Sequence, residues 1–170
     1  IDTGMGLERV AALTQGVKSN YDTDLLRYLI RVIEEVAGRW YGEDKASDMS
    51  LRVIADHARA ITFLISDGVV PSNEGRGYVL RRIMRRAARH GKKLGLEEPF
   101  LYKLSGSVVD SMQEPYPELK ERRNYIAQVV EGEEERFLTT LGKGLIIFND
   151  EVRRLKKIGE KTIPGRVAFK

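Results

Sequence analysis

The chain has 170 residues, of which 42% are hydrophobic and 32% charged, with a net charge of +4. That balance suits one globular domain with a sizeable core, or a domain plus part of another, and excludes a disordered chain. There is no cysteine and there are two distant histidines, so disulfide frameworks and thiolate metal sites are excluded and no metal site is expected.

In chain order, "IDTGMG" at residues 1–6 hints at a strand, and its Gly-x-Gly leads into the helical run "LERVAALTQG". Asn20 or Asp22 can cap a helix running to about Trp40, because Leu25, Leu26, Leu29, Ile33, Val36, Ala37 and Trp40 recur at helical spacing. Ser47 or Ser50 opens a second helix, to about Ser66. There Leu51, Ile54, Ala55, Ala58, Ile61 and Ile65 form one stripe, with Arg52, Asp56 and Arg59 opposite. "SDGVVPSNEG" reads as a loop. A basic helix follows and ends at Gly91 or Gly95. A helix fits 99–113, closed by "EPYPE", and another runs from about Glu118 to Lys157, with breaks expected near Gly132 and Gly142. "KTIPGRVAFK" is a second hint of strand. The expected fold is mainly α, a bundle of about five or six helices from residue 20 onward. No apolar run approaches the roughly eighteen residues of a membrane span. No secretory pattern opens the chain, so a cytoplasmic location is expected, and the opening Ile1 reads as the inside of a longer protein.

The basic helix carries the most information. "GRGYVLRRIMRRAARHGKK", residues 75–93, holds eight Arg or Lys and no Asp or Glu. At about 100° per residue, Arg81, Arg82, Arg85, Arg86 and Arg89 share an arc of roughly 140° with Tyr78, while Leu80, Ile83, Met84, Ala87 and Ala88 lie opposite. Like charges at i,i+4 repel. A sequence that stacks Arg81–Arg85–Arg89 and Arg82–Arg86 therefore has an anion to satisfy. Arginine forks match phosphate oxygens, and clustered arginine with an aromatic is the footprint of a nucleic-acid surface. Three alternatives stand beside this reading: a merely solvated face, internal pairing with carboxylates of "EGEEE" (131–135), or a non-enzymatic module binding an acidic protein partner. In the preceding loop, Ser72, Asn73 and Glu74 stand just ahead of a helix N-terminus, where Ser72 or Asn73 is either its N-cap or a ligand contact.

"DTGMGLERV" resembles motif 3 of the class II aminoacyl-tRNA synthetases, in the wording of the alanyl-tRNA synthetase family. The resemblance continues through "SNYDTDL", "SLRVIADHARAITFLISDGVVPSNEGRGYVLRRIMRRAARHG", "FLYKL" and "EEERFLTTLGKGL", and so covers nearly the whole chain.

It implies a division into 1–19, the end of a class II catalytic domain, and 20–170, a helical domain that recognises the tRNA acceptor stem. It further implies that Arg9 binds an ATP phosphate, with Gly4 and Gly6 turning beneath the nucleotide, and that Asp2 faces the amino group of alanine. Asn73 would reach the minor groove at the G·U wobble pair of tRNA(Ala), its carbonyl accepting from the guanine amino group. Arg76, Tyr78, Arg81, Arg82, Arg85, Arg86, Arg89, Lys92 and Lys93 would hold the neighbouring backbone. The implied parent is an ATP-dependent ligase using Mg2+. Its motifs 1 and 2 fall before Ile1, and its second wobble-pair contact and zinc-bearing editing domain fall beyond Lys170. The chain alone is therefore expected to be catalytically inactive, with residues 1–5 lacking their sheet. His57 and His90 match no zinc ligand of that family. His57 is expected to be structural and His90 to belong to the basic surface.

Overall fold

The computed structural model describes residues 3–169, and every regular element among them is helical. In order they are α1 (Leu7–Thr14), α2 (Asp24–Ala37), α3 (Lys45–Ser66), α4 (Gly75–Lys93), α5 (Leu101–Met112), α6 (Pro117–Glu121), α7 (Arg123–Lys157) and α8 (Gly165–Ala168). A 3-10 turn, Asn20–Asp22, joins α1 to α2. The mainly α expectation holds, and the two strand hints do not. Residues 3–6 are irregular, and the C-terminal stretch contains α8. A strand must pair its N–H and C=O groups, and among the described residues no extended neighbour offers such pairing.

Local hydrogen bonds set the helix starts. Ser19 Oγ accepts from the Tyr21 N–H at 3.3 Å, so Asn20–Asp22 becomes a turn rather than the first turn of α2. Gln15 then exchanges two bonds with Asp24: its amide donates to Oδ1 at 2.9 Å and accepts from the backbone N–H at 3.1 Å. This ties α1 to α2. Asp44 caps α3 by accepting from the Ser47 N–H at 2.9 Å, which places Ser47 inside the helix.

The core forms around α3. Leu51, Ile54, Ala55, Ala58, Ile61 and Ile65 are buried. They share one apolar cluster with Ile30 and Ile33 of α2, Leu80 and Met84 of α4, Leu104 and Val108 of α5, and Ile126 and Val130 of α7. Each such side chain contributes about 1.5–3 kcal/mol on burial. Where α4 leads to α5, Gly91 admits the Phe100 ring: a Cβ there would lie 2.2 Å from Cε1.

Helix α7 runs unbroken through Gly132 and Gly142, against expectation. A helical glycine costs about 1 kcal/mol, an amount that packing of the helix's first half against α4 and α5 can offset. The discontinuity falls instead at Arg122, whose guanidinium donates to the Ser66 carbonyl at the end of α3. Beyond the packed half, Leu145, Ile146, Ile147 and Phe148 are exposed.

Helix α5 lacks a side-chain cap of its own. Glu134 of α7 supplies one, accepting from the N–H groups of Phe100 at 3.1 Å and Leu101 at 2.9 Å. Burial pushes the Glu134 carboxyl up to about 7, outweighing the two hydrogen bonds that lower it. Its second oxygen has no hydrogen-bond partner among the described residues. Between the ordinary value of 4.5 and about 7, the folded chain therefore holds a proton that the unfolded chain has released. Stability from this group is fully present below 4.5 and is lost as pH rises through 7. His90, whose value burial lowers from 6.5, works in the opposite direction. Glu134→Gln should keep the cap and cancel only the carboxyl contribution. The melting temperature of the parent chain minus that of the variant should rise as pH falls from about 8 to 5; a difference independent of pH would contradict a titrating cap.

Candidate nucleic-acid interface

Helix α4 buries Leu80, Met84, Ala87 and Ala88 on one side. Arg76, Tyr78, Arg82, Arg85, Arg86, Arg89 and Lys93 are exposed on the other. The arc expected from periodicity is present, but its cations divide into two groups. Arg85 donates from Nε to Glu133 Oε1 at 3.1 Å, with a terminal nitrogen 3.0 Å away. Arg81 Nε also lies 3.1 Å from that oxygen, an electrostatic approach outside hydrogen-bond geometry. Glu133 is buried on α7, with 3% of its side chain exposed. Internal pairing with "EGEEE" is thus realised for two arginines and one carboxylate. Lys92 pairs with Glu97.

Arg76, Arg82, Arg86, Arg89 and Lys93 form no ion pair among the described residues. Arg82 lies over the Tyr78 ring, 5.7 Å from its centroid. Arg82, Arg85 and Arg86 line a shallow cavity with His57, Val79 and Ile83. His57 Nδ1 lies 3.0 Å from Asp56 Oδ2, an approach that holds Asp56 below the usual carboxylate range.

The loop before α4 is packed tightly onto the helix. A Cβ at Gly77 would meet the Val70 carbonyl oxygen at 2.2 Å and Ser72 Oγ at 2.4 Å. Ser72 Oγ donates to the Glu74 carbonyl at 2.8 Å and accepts from its N–H at 3.4 Å. Glu74 occupies the N-cap position without a side-chain bond. Asn73 is exposed and does not cap α4; its Oδ1 accepts from Arg81. Arg81 also reaches the Pro71 carbonyl at 3.5 Å.

The N-terminal segment forms a separate corner. Gly6 is the N-cap of α1, and the Arg9 side chain passes 3.7 Å from where a Gly6 Cβ would stand. Arg9 and Gly4 are exposed. Glu8 pairs with Arg59, which holds α1 against α3. Asp2 lies outside the described residues. Gly4, Gly6 and Arg9 stand at the start of α1, while Asn73, Arg76, Tyr78 and the remaining cations are gathered on the loop and α4.

The family model for tRNA synthetases class II (A) matches residues 1–170. The chain belongs to that family. It is 53% identical over all 170 residues to proteins named alanine–tRNA ligase from Thermoanaerobacter sp. (strain X514) and Thermoanaerobacter pseudethanolicus (strain ATCC 33223 / 39E). It spans 19% of the length of those curated relatives.

One histidine is corrected within this class II chain. His90 does not belong to the basic surface: it is buried, its Nδ1 3.1 Å from Ser50 Oγ of α3. Its angular position on α4, at about 100° per residue, falls at the edge of the apolar arc, next to Ile83. Burial and the neighbouring Lys93 and Arg86 lower its value, so the neutral ring is favoured. Glu133 is the residue that reading α4 alone misses. Its signal is the acidic run 131–135, which does not say which carboxylate faces α4. Gly77→Ala should force the 70–74 loop away from the helix. Overpacking of this kind costs about 1–3 kcal/mol; a melting temperature lowered by roughly 3–10 °C with unchanged helical circular dichroism is expected. An unchanged melting temperature would mean that the loop is not seated tightly.

Proposed function

We propose that this chain is the acceptor-stem-binding part of an alanine–tRNA ligase. Residues 20–170 are the RNA-binding unit and 1–19 the end of the catalytic domain. The parent protein activates alanine with ATP and Mg2+ and transfers it to tRNA(Ala), in the cytoplasm. The observation that carries this reading is the exposed face of α4, where Arg76, Arg82, Arg86, Arg89 and Lys93 stand without carboxylate partners, among the described residues, beside a loop that presents Asn73.

A-form RNA offers proteins a wide, shallow minor groove lined with 2′-hydroxyls and base edges, while its major groove is too narrow to read. Cations along one helix follow the phosphates and fix register. A short neutral amide at the helix start can reach a base edge, where a G·U wobble differs from G·C by an unpaired guanine amino group and a displaced pyrimidine O2. Tyr78, held by Arg82, adds a flat surface next to the cations.

Within the catalytic remnant, Arg9 and the open backbone at Gly4 and Gly6 are suited to an ATP phosphate. ATP would supply the activating phosphoanhydride; the role of these residues is to orient it. Asp2 belongs to the alanine end of the same proposal. One arginine and two glycines do not assemble ATP, amino acid and tRNA in a single geometry. The 170-residue chain should accordingly show no ATP–pyrophosphate exchange above background, and robust exchange would refute this assignment of the catalytic parts.

Binding to RNA stems separates phosphate holding from base reading. Arg82→Ala and Arg86→Ala should weaken every stem alike and flatten the salt dependence by about one unit for each phosphate that is no longer neutralised. Asn73→Ala should leave the salt slope unchanged and the melting temperature nearly so, because this side chain caps no helix and gives up only an exposed hydrogen bond to Arg81, which keeps its contact with the Pro71 carbonyl. It should lower the preference for G·U over G·C by about 1–3 kcal/mol. A preserved preference, also in a longer piece of the parent protein, would remove Asn73 from the recognition site.

A further inference from the structure

We infer that Glu133 is a positioning residue for Asn73, acting through Arg81, and that Asn73 presents its NH2 group to the ligand. This rests on the reading of Asn73 as a base-edge contact.

The relay runs from α7 through α4 to the loop. The Glu133 carboxylate, 3% exposed, lies 3.1 Å from Arg81 Nε. The Arg81 side chain is itself 18% exposed and so is confined between α4 and α7. Its terminal nitrogens reach the Asn73 amide oxygen and the Pro71 carbonyl at 3.5 Å, grasping the loop at two points. Arg85 supports Glu133 from the far side at 3.0 Å.

The amide's orientation follows from chemistry. A guanidinium has donors and no acceptor, so the group facing Arg81 must be the Asn73 oxygen. The Asn73 nitrogen is then turned outward with two donors. The matching ligand atom is a hydrogen-bond acceptor in the minor groove: a purine N3, a ribose 2′-oxygen or a pyrimidine O2, the last displaced in a G·U wobble relative to G·C, so Asn73 donates there in place of the expected acceptance by its carbonyl from the guanine amino group. Arg81 therefore contributes less to phosphate binding than its place in the stripe implies, and Glu133, an acid beneath a cationic face, has a purpose other than opposing RNA.

The test combines binding with a measurement on the free chain. Arg81→Lys keeps the charge but removes the fork. It should leave the salt slope unchanged and reduce the G·U-over-G·C preference about tenfold, the size of one base-edge contact. Glu133→Gln should show two opposite effects. Affinity for any stem should rise, with a salt slope steeper by about one, because Arg85 is released to the phosphates, while the G·U preference falls. A merely structural role would lower melting temperature and weaken all stems in proportion. Asn73→Asp keeps an oxygen for Arg81 and removes the outward donors. Loss of preference in this variant supports donation by the NH2 group; retained preference overturns it. In the free chain, the Asn73 side-chain amide should give dispersed 1H–15N resonances that collapse to solvent-exposed values in Arg81→Lys and Glu133→Gln. If Asn73→Ala abolishes the preference while the Arg81 and Glu133 variants keep it, the relay is wrong and the recognition reading stands. If the wild-type chain shows no preference, the recognition reading fails, and the amide resonances alone decide whether the relay exists.

Discussion

The seating of α4 on α3 is the interaction from which the exposed surface follows. Leu80, Met84, Ala87 and Ala88 can be dry only against the stripe that includes Leu51, Ile54 and Ile61. Once they are, the helix has no rotational freedom left, and its arginines must lie on the opposite side. The energies are unequal. Burial of one aliphatic side chain is worth about 1.5–3 kcal/mol, whereas a like-charge pair at i,i+4 costs a few tenths. The core therefore imposes the cationic ladder, and repulsion along it is accepted.

Helix α7 modifies that ladder with adjacent carboxylates in two different roles. Residues next to each other on a helix diverge by about 100°, so Glu133 turns toward α4 and Glu134 toward α5. Glu133 meets two guanidiniums. Glu134 meets two backbone N–H groups, and burial raises it to about 7. One glutamate organises the charged face, while its neighbour closes the start of a core helix. The same element thus couples the arrangement of the surface to the integrity of the bundle.

Asn73 is held in the same way. Close approach at Gly77 brings the 70–72 backbone against α4, and Arg81 anchors the loop from the helix. The loop is thus fixed to α4 at several points. The α1 corner is different in kind. Its anchors are an ion pair to α3 and the two Gln15–Asp24 hydrogen bonds to α2.

Helix identity, the buried stripe of α3 and the two faces of α4 were legible in the sequence, because each is a local periodicity that survives into the fold. The family relationship was also legible, carried by "DTGMGLERV" and the long segment from Ser50 to Gly91. What failed depended on partners distant in sequence. The strand hints at the two ends did not materialise, because a strand exists only when another pairs with it. His90 was assigned by the company of its neighbours rather than by its angle. Gly132 and Gly142 did not break α7; the helix expected from Glu118 is instead interrupted at Arg122, whose guanidinium is engaged with Ser66. Above all, the sequence shows eight cations within one helix without saying which are free. Only the approach of α7, 48 residues after Arg85, decides that Arg81 and Arg85 are paired with Glu133, while Lys92 pairs with Glu97 and the other five are left to the solvent side. Periodicity determines which side of a helix a residue occupies; the identity of what lies against that side is a property of the assembled bundle.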